Sequence, residues 1–528
     1  PILEAQFFLL LLLVLIGTLF RIIGLRVPSL QIGNSSSVSS NFSFHCAVAN
    51  ALKGLVKDTA VYGLSSILGR FLNWALTPLY TRVLVSTGEF GVQTNLYAWT
   101  ALLMAILTYG METGFFRFVN KEPNPQQVYS TTLISLGTTS SLFALLSLLF
   151  LAPISSLLGY ANRSDLVAML IFIIATDAFM AIPFAYLRYK NRPWRFATIK
   201  LTFIALSIGL NLFFFLVCPW IWRVAPELIS WFYDPEFGVG YIFVSNLIGN
   251  GVIFLMLLPY ILPAGWHFSS PLLRRMLAYS LPLLLLGIAG IFNQMADKIL
   301  FPIILTDRVE AEAQLGIYSA CFKIAMVMVM FTQAFRYAYE PFVFNKREGD
   351  EAERRRSYAL AMKYFLICSL FVFVGVMAGM EILQYLVGAD YREGLKVVPL
   401  AMWGELMMGV YFNLSLWYKL VDKTWWGALI SSLGCLFTIV IICWGVPRYS
   451  YMACAWASAI SNTVMAVVCY MLGQKYYKVE YELKNALFYF IIAGIAVAIV
   501  ALNHRYIAPV MPRLMWAVNI AVVGAFLF

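Results

Sequence analysis

The feature that most restricts the fold of this sequence is a succession of uninterrupted apolar runs, each about 20 residues or longer. A run of that length crosses the hydrocarbon core of a bilayer as an α-helix. Inside hydrocarbon, backbone polar groups must be satisfied within the protein, which leaves helix bundles and closed barrels. Because the runs do not alternate polar and apolar residues, they predict helices. The sequence therefore predicts an all-α polytopic membrane protein.

The composition supports a lipid environment. Hydrophobic residues make up 61% of the chain and charged residues only 12%, whereas a soluble domain is about 25% charged. The net charge of +11 does not indicate nucleic acid, because Lys and Arg lie in short gaps between apolar runs. The eight cysteines form no CxxC pair and are interpreted as packing residues.

Catalytic and nucleotide-binding motifs are missing from the sequence. There is no P-loop, HExxH motif, GxSxG in a strand-to-helix context or metal-spaced His/Cys cluster. No cofactor and no metal site are therefore predicted. Uphill transport by this chain would have to use a Na⁺ or H⁺ gradient or the gradient of the substrate itself.

The apolar runs predict fourteen transmembrane helices separated by short gaps. The longest gaps, 219–237 and 339–357, are too short for a separate folded domain. The predicted spans are residues 58–84, 91–116, 127–152, 165–188, 196–218, 238–262, 275–302, 314–338, 358–380, 394–418, 424–445, 450–472, 485–503 and 508–528.

The first 47 residues differ from the rest. Phe7 to Phe20 is an apolar run of signal-peptide length, but Glu4 is the only charge before it. A serine-rich stretch follows at Asn34–Ser43. Two interpretations remain open: an extra membrane segment, or upstream sequence translated from a misplaced start, which we favour. We therefore expect residues 1–47 to be an N-terminal extension outside the predicted membrane bundle.

The distribution of Lys and Arg predicts the orientation in the membrane. Counted over alternate gaps, one side of the predicted bundle holds 21 of these residues and the other side 9. Cytoplasmic loops carry the positive excess. The Val48 end and the C-terminus are then both predicted to be cytoplasmic.

The two halves of the chain resemble each other. LLGYANRSDL at 157–166 matches LVGADYREGL at 386–395, an offset of 229 residues. Further matches occur in the same order at offsets of 224 or 225: Asn73-Trp74 with Asp297-Lys298, Pro78 with Pro302, Gly91 with Gly316, and Asn120-Lys121 with Asn345-Lys346. Two six-helix repeats enter the membrane from the same side, so a pseudo-two-fold axis along the membrane normal relates them.

This repeat predicts the domain organisation. A six-helix lobe is expected at 48–265 and a second at 266–475, with the substrate site between them. The final helix pair, 476–528, lies outside the repeat.

Four ionisable side chains fall near the middle of predicted spans: Arg70, Asp177, Lys323 and Glu405. A charge at the bilayer centre costs about 3 kcal/mol on insertion scales, so these residues should face protein or water. In the functional interpretation, the cations hold an anionic substrate and a carboxylate binds a coupling cation or proton. In the structural interpretation, the four residues pair with each other and hold the bundle together.

Weaker candidates extend the faces of these residues. Asn73 shares the helical face of Arg70, and Asn211 continues the face of Lys200. Lysines at span ends also reach water by extending their stems, which is the structural alternative for Lys200. The substrate-binding candidates are therefore Arg70, Asn73, Lys323, Lys200 and Asn211.

A second group is predicted for ion coupling or gating. Asn293 and Asp297 lie one turn apart on one face, although Asp297 is near the outer end of its span and is expected to reach water. Glu112 lies with Arg117 at the inner surface, as a gate or as an interfacial pair. The group consists of Asp177, Glu405, Asp297, Asn293 and Glu112.

The opening stretch DTAVYGLSSILGRFLNWALTPLYTRVLVSTGEFG, residues 58–91, resembles bacterial oligosaccharide flippases of the polysaccharide biosynthesis or O-antigen exporter type. These belong to the multidrug/oligosaccharidyl-lipid/polysaccharide exporter superfamily. The fourteen spans, the six-plus-six repeat and the final helix pair extend the resemblance over about residues 48–528. It implies export of an undecaprenyl-pyrophosphate-linked sugar for polysaccharide or lipopolysaccharide biosynthesis, with Arg70 at the pyrophosphate.

The resemblance also implies a place and partners for the chain. It implies the bacterial cytoplasmic (inner) membrane, a lipid-linked oligosaccharide as substrate, and the polysaccharide polymerase or glycosyltransferases of the same pathway as neighbours. No nucleic acid is expected.

Two other classes remain open. A cation-coupled multidrug or toxin antiporter of the same fold would favour an acidic cavity, against which Arg70 and Lys323 argue. A membrane-bound polysaccharide polymerase or ligase would be expected to carry reactive residues in a sizeable outer loop, and the longest one, Pro219 to Phe237, is short.

Overall fold

The computed structural model describes residues 71, 74–345, 351–421, 423–507 and 511–527. All regular elements in these ranges are helical. The helices of the first part are α1 (Thr77–Val83), α2 (Thr87–Thr108), α3 (Met111–Val119), α4 (Pro125–Leu149), α5 (Leu151–Leu157), α6 (Ser164–Tyr189), α7 (Pro193–Leu212), α8 (Cys218–Val224) and α9 (Gly240–Ile261).

The remaining helices follow with short connections. They are α10 (Ser270–Ile304), α11 (Arg308–Asn345), α12 (Glu351–Ala378), α13 (Met380–Leu383), α14 (Val398–Leu414), α15 (Leu416–Leu420), α16 (Trp425–Tyr449), α17 (Met452–Tyr476), α18 (Leu483–Tyr506) and α19 (Pro512–Leu527).

Local sequence explains where several helices begin. The Asn124 side chain accepts hydrogen bonds from the backbone N–H groups of Gln126 and Gln127, at 3.1 and 3.3 Å, and Pro125 follows as the first residue of α4. The Ser269 hydroxyl caps α10 in the same way, accepting from Leu272 N–H at 3.4 Å. Both caps satisfy donors that have no partner within the helix.

The prediction of many apolar helices long enough to cross a membrane is confirmed. Within the described ranges, eleven helical stretches are long and apolar enough to cross a bilayer. The helix α10 adds a twelfth, and it bends by 50° between Pro282 and Gly287, as expected where proline displaces the preceding turn. A shorter apolar helix covers Arg513–Phe526. Most of the predicted span 58–84 and all of 1–47 lie outside the described residues, so the count of fourteen stays a prediction.

Packing divides the described chain into two compact units. The large unit comprises the described residues of 71–326 and 387–477, and the small unit those of 327–386 and 478–527. These units do not follow the repeat boundary expected near residue 265. The lobes predicted at 48–265 and 266–475 and the separate pair at 476–528 therefore stay predictions from the sequence.

In the small unit, α12 packs against α18 and α19. The Asn519 side chain joins two of these helices, because its Nδ2 donates to the Ala378 carbonyl at the end of α12, at 2.8 Å. Before α18, Lys363 donates to the Glu482 carboxylate at 2.7 Å, and this bond lowers the pKa of Glu482 from its ordinary value. The interaction is therefore present at neutral pH and is lost as the pH falls through that lowered pKa.

In the large unit, α2 and α11 cross at very close range through two glycines. A Cβ on Gly91 would overlap the carbonyl oxygen of Glu312 and lie 3.1 Å from the Gly316 nitrogen. Reciprocally, a Cβ on Gly316 would overlap the carbonyl of Thr87 and lie 3.1 Å from the Gly91 nitrogen. Both Thr87 with Glu312 and Gly91 with Gly316 are 225 residues apart. This reciprocal contact is what a two-fold axis through the crossing produces, and it supports the repeat read from the sequence.

The variant Gly91→Ala tests this crossing. The added methyl group would occupy space filled by the Glu312 backbone, and overpacking of this kind costs about 1–3 kcal/mol. Gly251→Ala in α9 is the matched control, because a Cβ there meets no atom within 4 Å. Thermal unfolding of detergent-purified protein should show a lower Tm for Gly91→Ala alone. Equal Tm values for the two variants would contradict the tight crossing.

Candidate functional site

Two hydrogen bonds join the repeats next to the glycine crossing. The Trp74 indole N–H donates to the backbone carbonyl of Lys323 on α11, at 2.7 Å. The Asn95 amide of α2 donates to the carbonyl of Lys298 on α10, also at 2.7 Å. Trp74 and Lys298 are themselves matched positions of the repeat. The two bonds therefore fix the first repeat against α10 and α11 on both sides of the crossing.

The matched loops 157–166 and 386–395 contact the opposite repeat in a reciprocal way. At Gly159, the chain lies against Arg308, whose guanidinium donates to the Leu158 carbonyl at 2.8 Å. At Gly388, the backbone N–H donates to the Thr81 hydroxyl at 3.0 Å. Each loop thus packs on the corner before the second helix of the other repeat.

Three side chains at the C-terminal end of α10 form a fully paired cluster. Lys298 Nζ contacts both carboxylate oxygens of Asp297, at 2.9 and 2.7 Å. The Tyr318 hydroxyl of α11 donates to the same carboxylate at 2.6 Å. Asp297 is 7% exposed and Tyr318 is fully buried. The expectation that Asp297 reaches water was wrong, because α11 and α17 cover it, with Cys454 of α17 lying at its backbone carbonyl.

Two further ionisable groups lie close to this cluster without being paired. Lys323 on α11 is close enough to Lys298 for repulsion between the two ammonium groups. Glu405 on α14 interacts electrostatically with Lys298 and Asp297. Among the described residues, neither Lys323 nor Glu405 forms an ion pair or a side-chain hydrogen bond, and both side chains are half-buried. Neither group is engaged by a direct side-chain partner within the described ranges, so both are candidates to contact a ligand.

Asn293, one turn before Asp297 on α10, faces α16 and α17. Its Oδ1 accepts from Thr438 at 2.6 Å and from Ser461 at 3.4 Å. Its Nδ2 contacts the Met465 sulfur at 3.7 Å. The amide is thus used in helix packing, although it lies on the face predicted for it.

The first repeat contains a second charged group of its own. Asp177 on α6 interacts electrostatically with Lys200 on α7. The Lys200 ammonium lies 4.1 Å from the centroid of the Phe184 ring. The described residues show electrostatic attraction between Asp177 and Lys200 but no direct ion pair.

Other predicted residues lie apart from these groups. Asn211 is buried, and its amide donates to the Ser207 carbonyl one turn earlier, at 2.7 Å. Glu112 pairs with Arg188 and not with Arg117. The Arg117 guanidinium instead lies 3.9 Å from the centre of the Tyr279 ring. Glu112 and Arg117 therefore do not form the direct pair that the sequence predicted.

Two candidates cannot be placed, since Arg70 and Asn73 lie outside the described residues. Sequence reasoning missed Tyr318 and did not count Lys298 among the binding residues. The adjacent Asp297-Lys298 pair was visible in the sequence, but Tyr318 reaches it only because α10 and α11 pack together. Within the described ranges, no three His, Cys, Asp or Glu side chains come together as metal ligands.

The fold defines the class of protein. The chain is similar to the lipid II flippase MurJ in an inward closed conformation, with a TM-score of 0.69 and 14% identity over 88% of this chain and 97% of that one. It is also similar to an inward-facing multidrug resistance MATE family transporter of the MOP superfamily, with a TM-score of 0.58 and 13% identity over 77% and 94%. The MATE multidrug transporter DinF-BH gives a TM-score of 0.55 and 16% identity over 80% and 96%.

The family follows from the sequence itself. Residues 55–336, more than half of the chain, match the family of polysaccharide biosynthesis proteins. The chain belongs to this family, and its fold is that of the membrane flippases and transporters named above. No curated protein matches the chain at the sequence level.

Removal of Asp297 tests the paired cluster. Asp297→Ala should destabilise the protein by about 3–5 kcal/mol, because it leaves the Lys298 ammonium buried without its counter-ion. The double variant Asp297→Ala/Lys298→Met should recover most of that loss. Glu310→Gln, an exposed carboxylate at the start of α11, is the control. A double variant no more stable than Asp297→Ala would show that the pair is not what holds this region.

Proposed function

We propose that this protein is a flippase that moves an undecaprenyl-pyrophosphate-linked oligosaccharide from the inner to the outer leaflet of the bacterial cytoplasmic membrane. The observation that carries the proposal is the half-buried Lys323 ammonium, which has no acidic partner among the described residues and lies near Lys298. An ammonium group in this state favours an anionic ligand such as a phosphate. The family match and the name of MurJ as a lipid II flippase support a lipid-linked substrate.

The energetic problem is the charge of the head group. Moving one bare ion into hydrocarbon costs tens of kcal/mol. A hydrated cavity with cationic side chains between the repeats would remove most of this cost, while the lipid tail stays in the bilayer. An anion that moves outward also gains about 2.3 kcal/mol per charge per 100 mV of membrane potential.

Alternating access would follow from the contacts between the repeats. With the orientation predicted from Lys and Arg, the end at which Arg308 and Gly388 make their contacts is the outer end. The head group would then enter from the cytoplasmic leaflet, and these reciprocal loop contacts would have to separate before release. Arg70 and Asn73 remain predicted substrate ligands, beside Lys323, Lys200 and Asn211.

The variant Lys323→Gln tests the anion site. Loss of hydrogen bonds to a charged group costs about 1.5–3 kcal/mol, so transport should slow roughly tenfold to a hundredfold. The measurement is the appearance of a labelled lipid-linked oligosaccharide in the outer leaflet of proteoliposomes. Lys121→Gln, at an exposed helix end, removes the same charge elsewhere and should transport normally. A normal rate for Lys323→Gln at normal protein level would refute this role of Lys323.

We favour the half-buried Glu405 as the coupling group. The Asp297 carboxylate is already paired with Lys298, whereas Glu405 has no such partner among the described residues. Asp177 is the second candidate, and Asn293, Asp297 and Glu112 are weaker ones. Glu405→Gln should abolish stimulation of transport by a Na⁺ or H⁺ gradient and leave the response to membrane potential. Glu480→Gln, an exposed carboxylate, should keep both responses. Undiminished gradient stimulation in Glu405→Gln would exclude this assignment.

A drug antiporter is the second candidate function, and the likeness to MATE transporters keeps it open. Uptake of a cationic dye by the same proteoliposomes, in place of the lipid-linked sugar, would favour it. A polymerase or ligase is supported less, because an acidic residue of the connection between α8 and α9 has a structural use. The Asp234 carboxylate caps the following turn by accepting from Glu236 N–H at 2.9 Å. The partner enzymes of the pathway remain an expectation.

A further inference from the structure

The repeat extends to a pair of corners that the proposed transport site does not use. YLRYKNRPWRF at 186–196, between α6 and α7, matches WYKLVDKTWWG at 417–427, between α15 and α16, at an offset of 231 residues. This continues the rise of the offset from 224 to 229 along the chain. The match pairs Arg188 with Lys419, Arg192 with Lys423 and Trp194 with Trp425. Both corners follow the fourth predicted span of their repeat, so they lie at the same end of the bundle.

The second corner holds two ammonium groups on one aromatic ring. Lys423 Nζ lies 4.4 Å from the centroid of Tyr476, and Lys475 Nζ lies 5.9 Å from it. The ring is held in place by Trp417, stacked at 5.6 Å. Trp426 lies 5.6 Å from the Tyr476 ring, and Trp425 stacks on Trp426 and is 53% exposed. Asp422, which precedes Lys423, lies outside the described residues.

The first corner repeats this chemistry with different residues. Lys190 Nζ lies 5.5 Å from the centroid of Tyr186 and 5.6 Å from that of Tyr189. The next residue, Asn191, has φ of 48° and turns the chain sharply, a conformation that asparagine tolerates better than most residues. Arg192 is then exposed, and Trp194 is 65% exposed.

Four of the basic side chains at the two corners have no acidic partner among the described residues. Among the described residues, no carboxylate lies within ion-pair distance of Lys190, Arg192, Lys423 or Lys475. Other basic residues of the same bundle end do have one, as Arg188 has Glu112. The tyrosine rings lie on one side of each ammonium group, and Lys190 and Lys475 are exposed to solvent.

We propose that each corner binds the phosphate head group of an anionic phospholipid. Exposed indole rings settle at the depth of lipid head groups, and basic side chains at that depth attract anionic lipid. A zwitterionic head group would leave the lysine and arginine charges uncompensated, whereas phosphatidylglycerol supplies a net negative charge. The orientation predicted from Lys and Arg puts both corners in the cytoplasmic leaflet. The proposal does not depend on the transported substrate.

Native mass spectrometry of the full chain provides the test. The protein is taken from mixed phosphatidylglycerol and phosphatidylcholine vesicles, and retained lipids are counted by mass. Lys190→Gln/Arg192→Gln and Lys423→Gln/Lys475→Gln each neutralise one corner. Each should weaken phosphatidylglycerol binding at its own corner by about fivefold per charge removed and leave phosphatidylcholine unchanged. The combined quadruple variant should lose the preference for phosphatidylglycerol.

The control variant is Lys121→Gln/Lys484→Gln. It removes two exposed lysines that make no cation–π contact with an aromatic ring among the described residues. It should retain phosphatidylglycerol like the unmodified protein. Equal loss in the control and corner variants would overturn the proposal, because general charge would then explain the binding. Unchanged retention in the quadruple variant would overturn it as well.

A third measurement separates the phospholipid from the transported lipid. Undecaprenyl pyrophosphate is titrated into the phosphatidylglycerol-bound protein. Displacement of one phosphatidylglycerol per corner at equal concentrations would reject a phospholipid site in favour of a substrate entry site. Retention of phosphatidylglycerol, with undecaprenyl pyrophosphate bound in addition, supports the proposal. Transport by Lys323→Gln is measured separately, so failure of one proposal leaves the other intact.

Discussion

The crossing of α2 and α11 is the contact on which the large unit depends. Two backbones can approach so closely only where both helices carry glycine, and here Gly91 and Gly316 face each other's preceding turn. In hydrocarbon, helices gain no hydrophobic free energy from leaving lipid for one another, so close packing and hydrogen bonds must hold them. The bonds from Trp74 and Asn95 lie beside the crossing and add polar contacts to the packing.

The distribution of charge around this crossing separates structural from functional groups. Asp297, Lys298 and Tyr318 satisfy one another and are nearly excluded from solvent. Lys323 and Glu405 lie beside them, half-buried and without such partners among the described residues. A half-buried charge without a partner lowers the stability of the protein. Proteins retain such a charge where it acts on a ligand. This contrast is the physical basis for assigning the two groups to transport.

The sequence predicted the fold class and the repeat because both depend on patterns along the chain. Apolar runs of membrane length and the matched glycines at 91 and 316 are visible without knowledge of packing. Pairing of side chains is not visible in this way. Glu112 binds Arg188 on another helix, and Asp297 is covered by α11 and α17, because the rotation of each helix is set by its neighbours. A residue's depth in its span therefore predicted its surroundings poorly.

The use of main-chain acceptors between the repeats has an evolutionary consequence. Trp74 and Asn95 each donate to a backbone carbonyl, and Arg308 does the same at Leu158. Every amino acid supplies that acceptor, so the residue on the receiving side can be exchanged without loss of the bond. After an ancestral duplication, the two copies could drift apart in side-chain identity while their alignment stayed fixed. Weak sequence similarity between the two repeats is therefore compatible with reciprocal contacts that are preserved between them.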